Sequence, residues 1–235
     1  MATQVQAAPD ATRTRILDVA EHLVQTRGFN GFSYADIAAE VGLTKASLHY
    51  HFATKADLGR TLVARYTEGF GAALERISRS VPDAPAQLRA YVALYSDVLR
   101  EERLCLCGMV AAEYATLPSG MQEALRVFFE VNERWLARLL EEGQREGTLS
   151  FPTAAADAAR MLVGALEGEM LVARAYGDPA RFTAAAALLL AQLKNGGGRA
   201  ERTGAGPRGG SSRSARRTKP RAKAPSARRA RLRPG

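Results

Sequence analysis

The stretch Ser33–Phe52, SYADIAAEVGLTKASLHYHF, decides the fold. Ser33 is placed to cap a short helix, its hydroxyl accepting a free amide hydrogen of the first turn. Tyr34 to Glu40 follows, with apolar residues at Ile37, Ala38 and Val41 on one side. Gly42 can take the positive φ that ends a helix, and Leu43 turns back towards a core. Thr44 is the next cap, opening a second helix over Lys45–His51. That helix buries Leu48 and presents Lys45, Ser47, His49 and Tyr50 outward. Two short helices joined by a tight glycine turn make a helix-turn-helix, whose second helix enters the major groove of DNA. Ala38 lies where the two helices touch, so it must be small. The alternative is an ordinary hairpin of a helical bundle, but a hairpin does not require an outward face of Lys, Ser, His, Tyr and His.

The flanking residues complete a small domain. Ile16, Leu17, Ala20, Leu23 and Val24 fall on one face of a first helix over Ala11–Thr26. Arg27 and Gly28 end it with a cation in the last turn and glycine after. Phe29 and Phe32 plug the three-helix core. Thr54-Lys55-Ala56-Asp57 is a capping-box pattern that opens helix four. The free amides of its first turn, together with Lys55, suit a phosphate oxygen; a solvated surface lysine is the alternative. Helix four runs towards Arg79 with Leu58, Leu62, Tyr66 and Phe70 along one stripe, and so belongs to two domains. A shift of its far end would tilt the recognition helix.

Thr12–Leu58 resembles the DNA-binding domain of TetR-family transcriptional regulators. The matching residues are Ile16, Leu17, Ala20 and Leu23, then Gly28-Phe29, Ser33 to Ala38, Gly42, Leu48, His51-Phe52 and Lys55. One departure stands out: the family usually has Tyr where this chain has His49, and the phenol here comes one place later, at Tyr50. The resemblance implies a groove-reading set of Lys45, Ser47, His49 and Tyr50. It implies a phosphate-positioning set of Ser33, Tyr34, Tyr50, His51 and Lys55. Thr44, at the head of the recognition helix, joins the DNA-facing residues.

The charge balance is uneven along the chain. The whole sequence carries +9, yet Gly196–Gly235 alone holds 13 Lys+Arg against one acid, or +12. The other 195 residues are at −3, and Ala11–Leu58 has five basic and five acidic residues. DNA binding by the helix-turn-helix therefore rests on placement and not on bulk charge. The tail is Arg, Ala, Gly, Ser, Lys and Pro with almost nothing to bury, which predicts disorder. Such a tail can neutralise phosphates without reading sequence; a tolerated extension with no role is the alternative.

At 235 residues and 46% apolar, the chain is long enough for one or two domains with a real core. No run of apolar residues reaches membrane-spanning length, and no basic segment followed by an apolar one marks a secretory signal. Cys105 and Cys107 are too close for a routine disulfide staple, so a cytoplasmic protein with free thiols is expected.

Beyond helix four the sequence predicts helices throughout. Val81–Pro85 breaks the pattern with two prolines. Gln87–Glu102, Leu104–Ala115, Met121–Arg145, a helix capped by Thr153 and running to about Tyr176, and one from Asp178-Pro179 to Lys194 follow. The expected fold is all-α, with about nine helices. The expected organisation is an N-terminal arm over 1–10, a helix-turn-helix domain over 11–58, a helical ligand-binding and dimerisation domain over 59–195, and a basic tail over 196–235. The last two helices are rich in small residues (Ala158, Ala159, Gly164, Gly168, Ala184 to Ala187) that allow close backbone approach. The resemblance implies that they pair with their twins in a homodimer; finishing the monomer core is the alternative. A dimer would set two recognition helices about 34–36 Å apart.

Nothing in the sequence points to catalysis. No Ser-His-Asp arrangement, HExxH, phosphate loop or dinucleotide glycine pattern is present, and no metal or cofactor is expected. Tyr91, Tyr95, Met109, Phe128 and Trp135 are candidate walls of a small-molecule cavity in the helical domain, or else plain core. Cys105 and Cys107 resemble the cysteine of oxidant- and electrophile-sensing members of the same family. A sensor thiol needs a lowered pKa, whereas burial leaves an inert one. The reading is a homodimeric repressor released from a palindromic operator by a small molecule or a thiol-reactive compound. A nucleoid-type architectural binder driven by the tail, and a dimeric small-molecule-binding protein without an operator, are the other classes.

Overall fold

The computed structural model describes residues 9–195. The expected arm over 1–10 and the basic tail lie almost wholly outside the described residues. The chain forms nine α-helices there, with no strand among the described residues: α1 (Pro9–Arg27), α2 (Tyr34–Val41), α3 (Lys45–His51), α4 (Lys55–Ser80), α5 (Ala84–Arg100), α6 (Leu106–Ala112), α7 (Ser119–Arg145), α8 (Ala155–Tyr176) and α9 (Pro179–Asn195). A single 3₁₀ turn over Tyr114–Thr116 separates α6 from α7.

The caps explain most boundaries. Ser33 accepts from the Ala35 amide while Asp36 reaches back to the Ser33 amide, a reciprocal capping box. Gly42 ends α2 with φ 72°, a left-handed turn that glycine takes without a Cβ penalty. Thr44 and Thr54 cap α3 and α4 by accepting the Ser47 and Asp57 amides at 3.1 Å each. Two boundaries differ from the sequence expectation. Thr153 does not cap α8; Ala154 holds that position without a side-chain hydrogen bond. The apolar run Leu104–Ala115 is not one helix. It is the seven-residue α6 followed by the 3₁₀ turn, because Glu113 and Thr116 turn outward to bind Asn30.

One hydrophobic core runs continuously from Ile16 to Leu193. α1, α2 and α3 close over Ile16, Leu23, Ile37 and Leu48, which have no more than 2% exposure. α4 carries Leu58 and Leu62 into that cluster and Leu74 and Ile77 into the larger one. α4 is therefore buried towards both of its ends, with a less buried mid-section between them. No helix among the described residues is long and apolar enough to cross a membrane.

Candidate nucleic-acid interface

The recognition face begins with what α3 hides. Leu48 has no exposure and fixes the roll of the helix, so Lys45, Ala46, His49 and Tyr50 point to solvent and Ser47 and His51 are half-buried. Tyr50 is 82% exposed and touches only the edge of His51, with ring centroids 5.3 Å apart. A large aromatic with so little packing gains nothing for the fold. His49 is tied by Nδ1 to the Ala53 carbonyl at 3.0 Å. A carbonyl only accepts, so Nδ1 carries the hydrogen and Nε2 is the atom left for a partner. The Tyr34 ring lies 4.9 Å from the His49 ring and helps to hold it. A concavity of about 470 Å³ runs between the start of α2 and α3, lined by Phe32, Ser33, Tyr34, Ala35, Lys45, His49 and Lys55.

Several residues expected to hold phosphates have partners within the protein. The Lys55 ammonium donates to the Phe29 carbonyl at 2.6 Å and to the Phe32 carbonyl. It also lies over both phenylalanine rings, 4.7 and 4.2 Å from their centroids. Burial there lowers its pKa, the Glu113 and Asp36 carboxylates opposing that shift. Lys55 is a tether for the Phe29–Phe32 loop first. The Tyr34 hydroxyl donates to the Phe52 carbonyl at 3.0 Å, and burial raises its pKa to about 12. The Ser33 and Thr44 hydroxyls are occupied as caps. Ser33 and Thr44 remain exposed, as are Lys45, His49 and Tyr50, while Ser47, whose hydroxyl meets that of Thr44 at 3.0 Å, and His51 are half-buried. Arg15, which the sequence did not single out, donates to the Val41 carbonyl at 3.0 Å and closes the C-terminal end of α2.

The recognition unit is bound to the helical domain by polar ties that periodicity could not reveal. Gln25, 1% exposed, accepts from the Leu104 amide through its carbonyl at 3.1 Å and from Arg103 through its side chain at 2.7 Å. The Asn30 amide donates to Glu113, and its side chain to Thr116 at 2.8 Å. Arg65 of α4 forks onto Asp18 and Glu21 of α1, both at 2.7 Å. An oddly placed polar residue on an apolar face, such as Gln25, was the available signal.

Inside the helical domain the expected cavity walls are packed against one another. Tyr91 stacks on Trp135 at 5.6 Å, and its hydroxyl bonds Asn132 and Tyr95 at 3.0 Å each. Phe128 is fully buried, and Met109 is half-buried at the side. A cavity of about 350 Å³ opens instead between α1, α4 and α5, lined by Glu21, Arg65, Tyr66, Gly69, Phe70, Ala73, Leu94 and Val98. It meets the aromatic cluster through Tyr66 and Phe70, whose rings lie 5.7 and 5.4 Å from Phe128.

Cys105 and Cys107 are free thiols, both buried. Burial pushes both pKa values well up, and the Glu167 carboxylate adds to the rise. This is the reverse of the cationic setting that activates a thiol. Glu167 itself escaped the sequence reading. Its place on the same face of α8 as Val163, Leu166 and Met170 was the signal.

Comparison with known proteins agrees with this arrangement. Residues 16–60 match the model described as "Bacterial regulatory proteins, tetR family", and residues 84–189 match "Tetracyclin repressor-like, C-terminal domain". The fold superposes on a TetR-family transcriptional regulator from Agrobacterium tumefaciens with TM-score 0.77 and 33% identity, covering 80% of this chain and 100% of that one. The transcriptional regulator AcuR of Cereibacter sphaeroides is 29% identical over 152 residues, 62% of this chain and 69% of its own length. The nucleoid occlusion factor SlmA of Photobacterium profundum is 26% identical over 153 residues, 65% of this chain and 78% of its own. A three-helix DNA-reading head, a wholly helical body behind it and matches to both parts lead to one conclusion: the chain belongs to the TetR family, and is a DNA-binding regulator of transcription and not an enzyme.

Proposed function

We propose that the chain is a homodimeric, ligand-responsive repressor that reads a palindromic operator with Lys45, Ser47, His49 and Tyr50. The observation that carries the reading is the contrast within α3, where Leu48 is fully buried and Tyr50 is 82% exposed. Lys45, Ser47 and the Nε2 of His49 supply donors and an acceptor for base edges, and Tyr50 supplies an aromatic face and a hydroxyl. His51 and the first turn of α4 serve phosphates. An effector acts by preferring the conformer whose recognition helices are misplaced, through the ties from α4 and α6 to α1.

The dimer reading is supported by an unpartnered apolar stripe. Met161, Leu171, Val172, Tyr176 and Leu188 are 43–69% exposed on α8 and α9. A Cβ added at Gly164 or Gly168 would meet nothing within 4 Å, so those glycines leave room that the monomer does not use. A second copy fills it in this reading. A cytoplasmic location follows from its target.

Selection of bound fragments from a random DNA pool tests the reading, using the full chain and the Lys45→Ala, Tyr50→Ala double variant. Enrichment of one palindrome by the unaltered chain alone is the expected result. Equal enrichment of unrelated fragments by both proteins overturns it. That outcome would favour a nucleoid-type binder driven by the +12 tail.

A further inference from the structure

The carboxyl of Glu167 is the least settled polar group of the helical domain. As a residue Glu167 is half-buried on α8, but its Oε1 is fully buried and has no hydrogen-bond partner. The Cys105 thiol lies beside the carboxylate and influences it, and the Tyr66 hydroxyl approaches the Cys105 sulfur at 4.0 Å. Opposite, a Cβ added at Gly108 would lie 2.2 Å from Oε2, so only glycine leaves this seat open. A buried carboxyl with an unfilled oxygen costs stability. An apolar residue would serve the fold better.

We infer that Glu167 is the anchor of an effector site that takes a small molecule bearing a protonated amine on an aromatic or aliphatic body. The inference rests on the reading of the helical domain as the effector domain. No Lys or Arg forms an ion pair with Glu167 among the described residues, so the charge that completes it comes from outside. An ammonium supplies both the missing donor to Oε1 and the counter-charge. The organic body has a place to go. Tyr66 stands between the Cys105–Glu167 pair and the cavity of about 350 Å³ that it lines with Phe70, Leu94, Val98 and the Arg65–Glu21 pair, whose guanidinium is already neutralised by Glu21 at 2.7 Å, a volume within the range of small-ligand sites. Aromatic faces beside a cation add further attraction. The location also couples the site to DNA. Cys105 follows directly on Leu104, whose amide is held by the Gln25 carbonyl of α1, and Tyr66 sits on α4, one residue from the Arg65 fork.

The test uses the full-length protein without DNA and three molecules of one size: 2-phenylethylamine, 2-phenylethanol and phenylacetate. Calorimetric titration at pH 8 should show saturable binding of the amine, with the alcohol about tenfold weaker or more and the acid weaker still. Glu167→Gln should reduce the amine's preference over the alcohol to about twofold or less. Should that variant not fold, the wild type decides alone. The preference should shrink at pH 6, where Glu167 holds its proton while the thiols of Cys105 and Cys107 and the phenols of Tyr66, Tyr91 and Tyr95 stay neutral throughout. No saturable heat from the amine up to about 10 mM, equal binding of all three molecules, or a preference unchanged by Glu167→Gln or by pH overturns the proposal. A separate measurement of DNA affinity with and without bound amine judges the repressor reading independently.

Discussion

The main-chain amide of Asn30 donates to the carboxylate of Glu113, 83 positions further along the chain, at 3.0 Å. This bond joins the loop before the helix-turn-helix to the end of α6. Gly28 crowds it from the other side: φ there is +83°, and an added Cβ would lie 2.6 Å from the Glu113 carboxylate. Gly28→Ala should therefore cost about 1–3 kcal/mol, read by urea unfolding, and Glu113→Ala about 1 kcal/mol. The two losses should be less than additive in the double variant, since removing the carboxylate relieves the crowding. Additive losses would show that the two residues do not share one contact.

Lys55 is expected to matter to the fold before it matters to DNA. Lys55→Ala removes two bonds to the loop carbonyls of Phe29 and Phe32 and should lower stability by about 1.5–3 kcal/mol. A lysine serving only phosphate would leave the unfolding midpoint where it was and change DNA affinity alone.

Lys45 and Tyr50 should behave in the opposite way. Both are exposed, so replacing either with Ala should shift stability by no more than about 0.5 kcal/mol. Lys45→Ala should reduce the slope of log affinity against log salt by about one if the ammonium meets a phosphate. If it meets a base edge, operator preference at one position should relax instead. Filter binding over a salt series separates the two.

The buried carboxyl gives stability a pH dependence with a definite sign. The pKa of Glu167 rises on folding from 4.5 to about 7, chiefly through burial, with the Cys105 bond opposing. Between those values the native state holds a proton that the unfolded chain has lost. Its contribution is therefore intact below pH 4.5 and lost as the pH climbs through 7. Glu167→Gln should overtake the wild type in stability as the pH is raised across this window, by an amount on the order of 3 kcal/mol. A stability difference that stays constant from pH 4 to 8 would place the carboxyl in water.

The apolar stripe on α8 and α9 predicts the outcome of introducing a charge there. Leu188 is 68% exposed, so Leu188→Glu costs the monomer little, about 0.5 kcal/mol or less. In a dimer that buries this position it introduces two like charges. Sedimentation should show monomers for the variant and dimers for the unaltered chain, with a matching loss of operator affinity. A variant that sediments as the wild type does would move the interface elsewhere.

What the sequence disclosed and what it withheld divide along physical lines. Ser33, Thr44, Thr54, Gly42 and the buried Leu48 were legible because capping, left-handed turns and helical periodicity are local properties of a few residues. The destination of the Lys55 ammonium was not, because it depends on two carbonyls more than twenty residues away and on the exact course of a loop. The aromatics Tyr91, Tyr95, Phe128 and Trp135 were legible as buried, but burial alone does not separate a wall from a filling. Their rings interlock, and a cavity opens next to Tyr66 and Phe70. Glu167 sat among small residues read as a packing surface, and only the position of Cys105 and Gly108 across from it shows which way its carboxyl turns.

The concealment of Cys105 and Cys107 gives the protein a clock of its own. A thiol-labelling dye cannot reach either sulfur until the helical domain opens, so modification reports that opening without an engineered probe, and its rate counts openings where labelling outpaces reclosing. Label found at those positions would thus be a record of past opening.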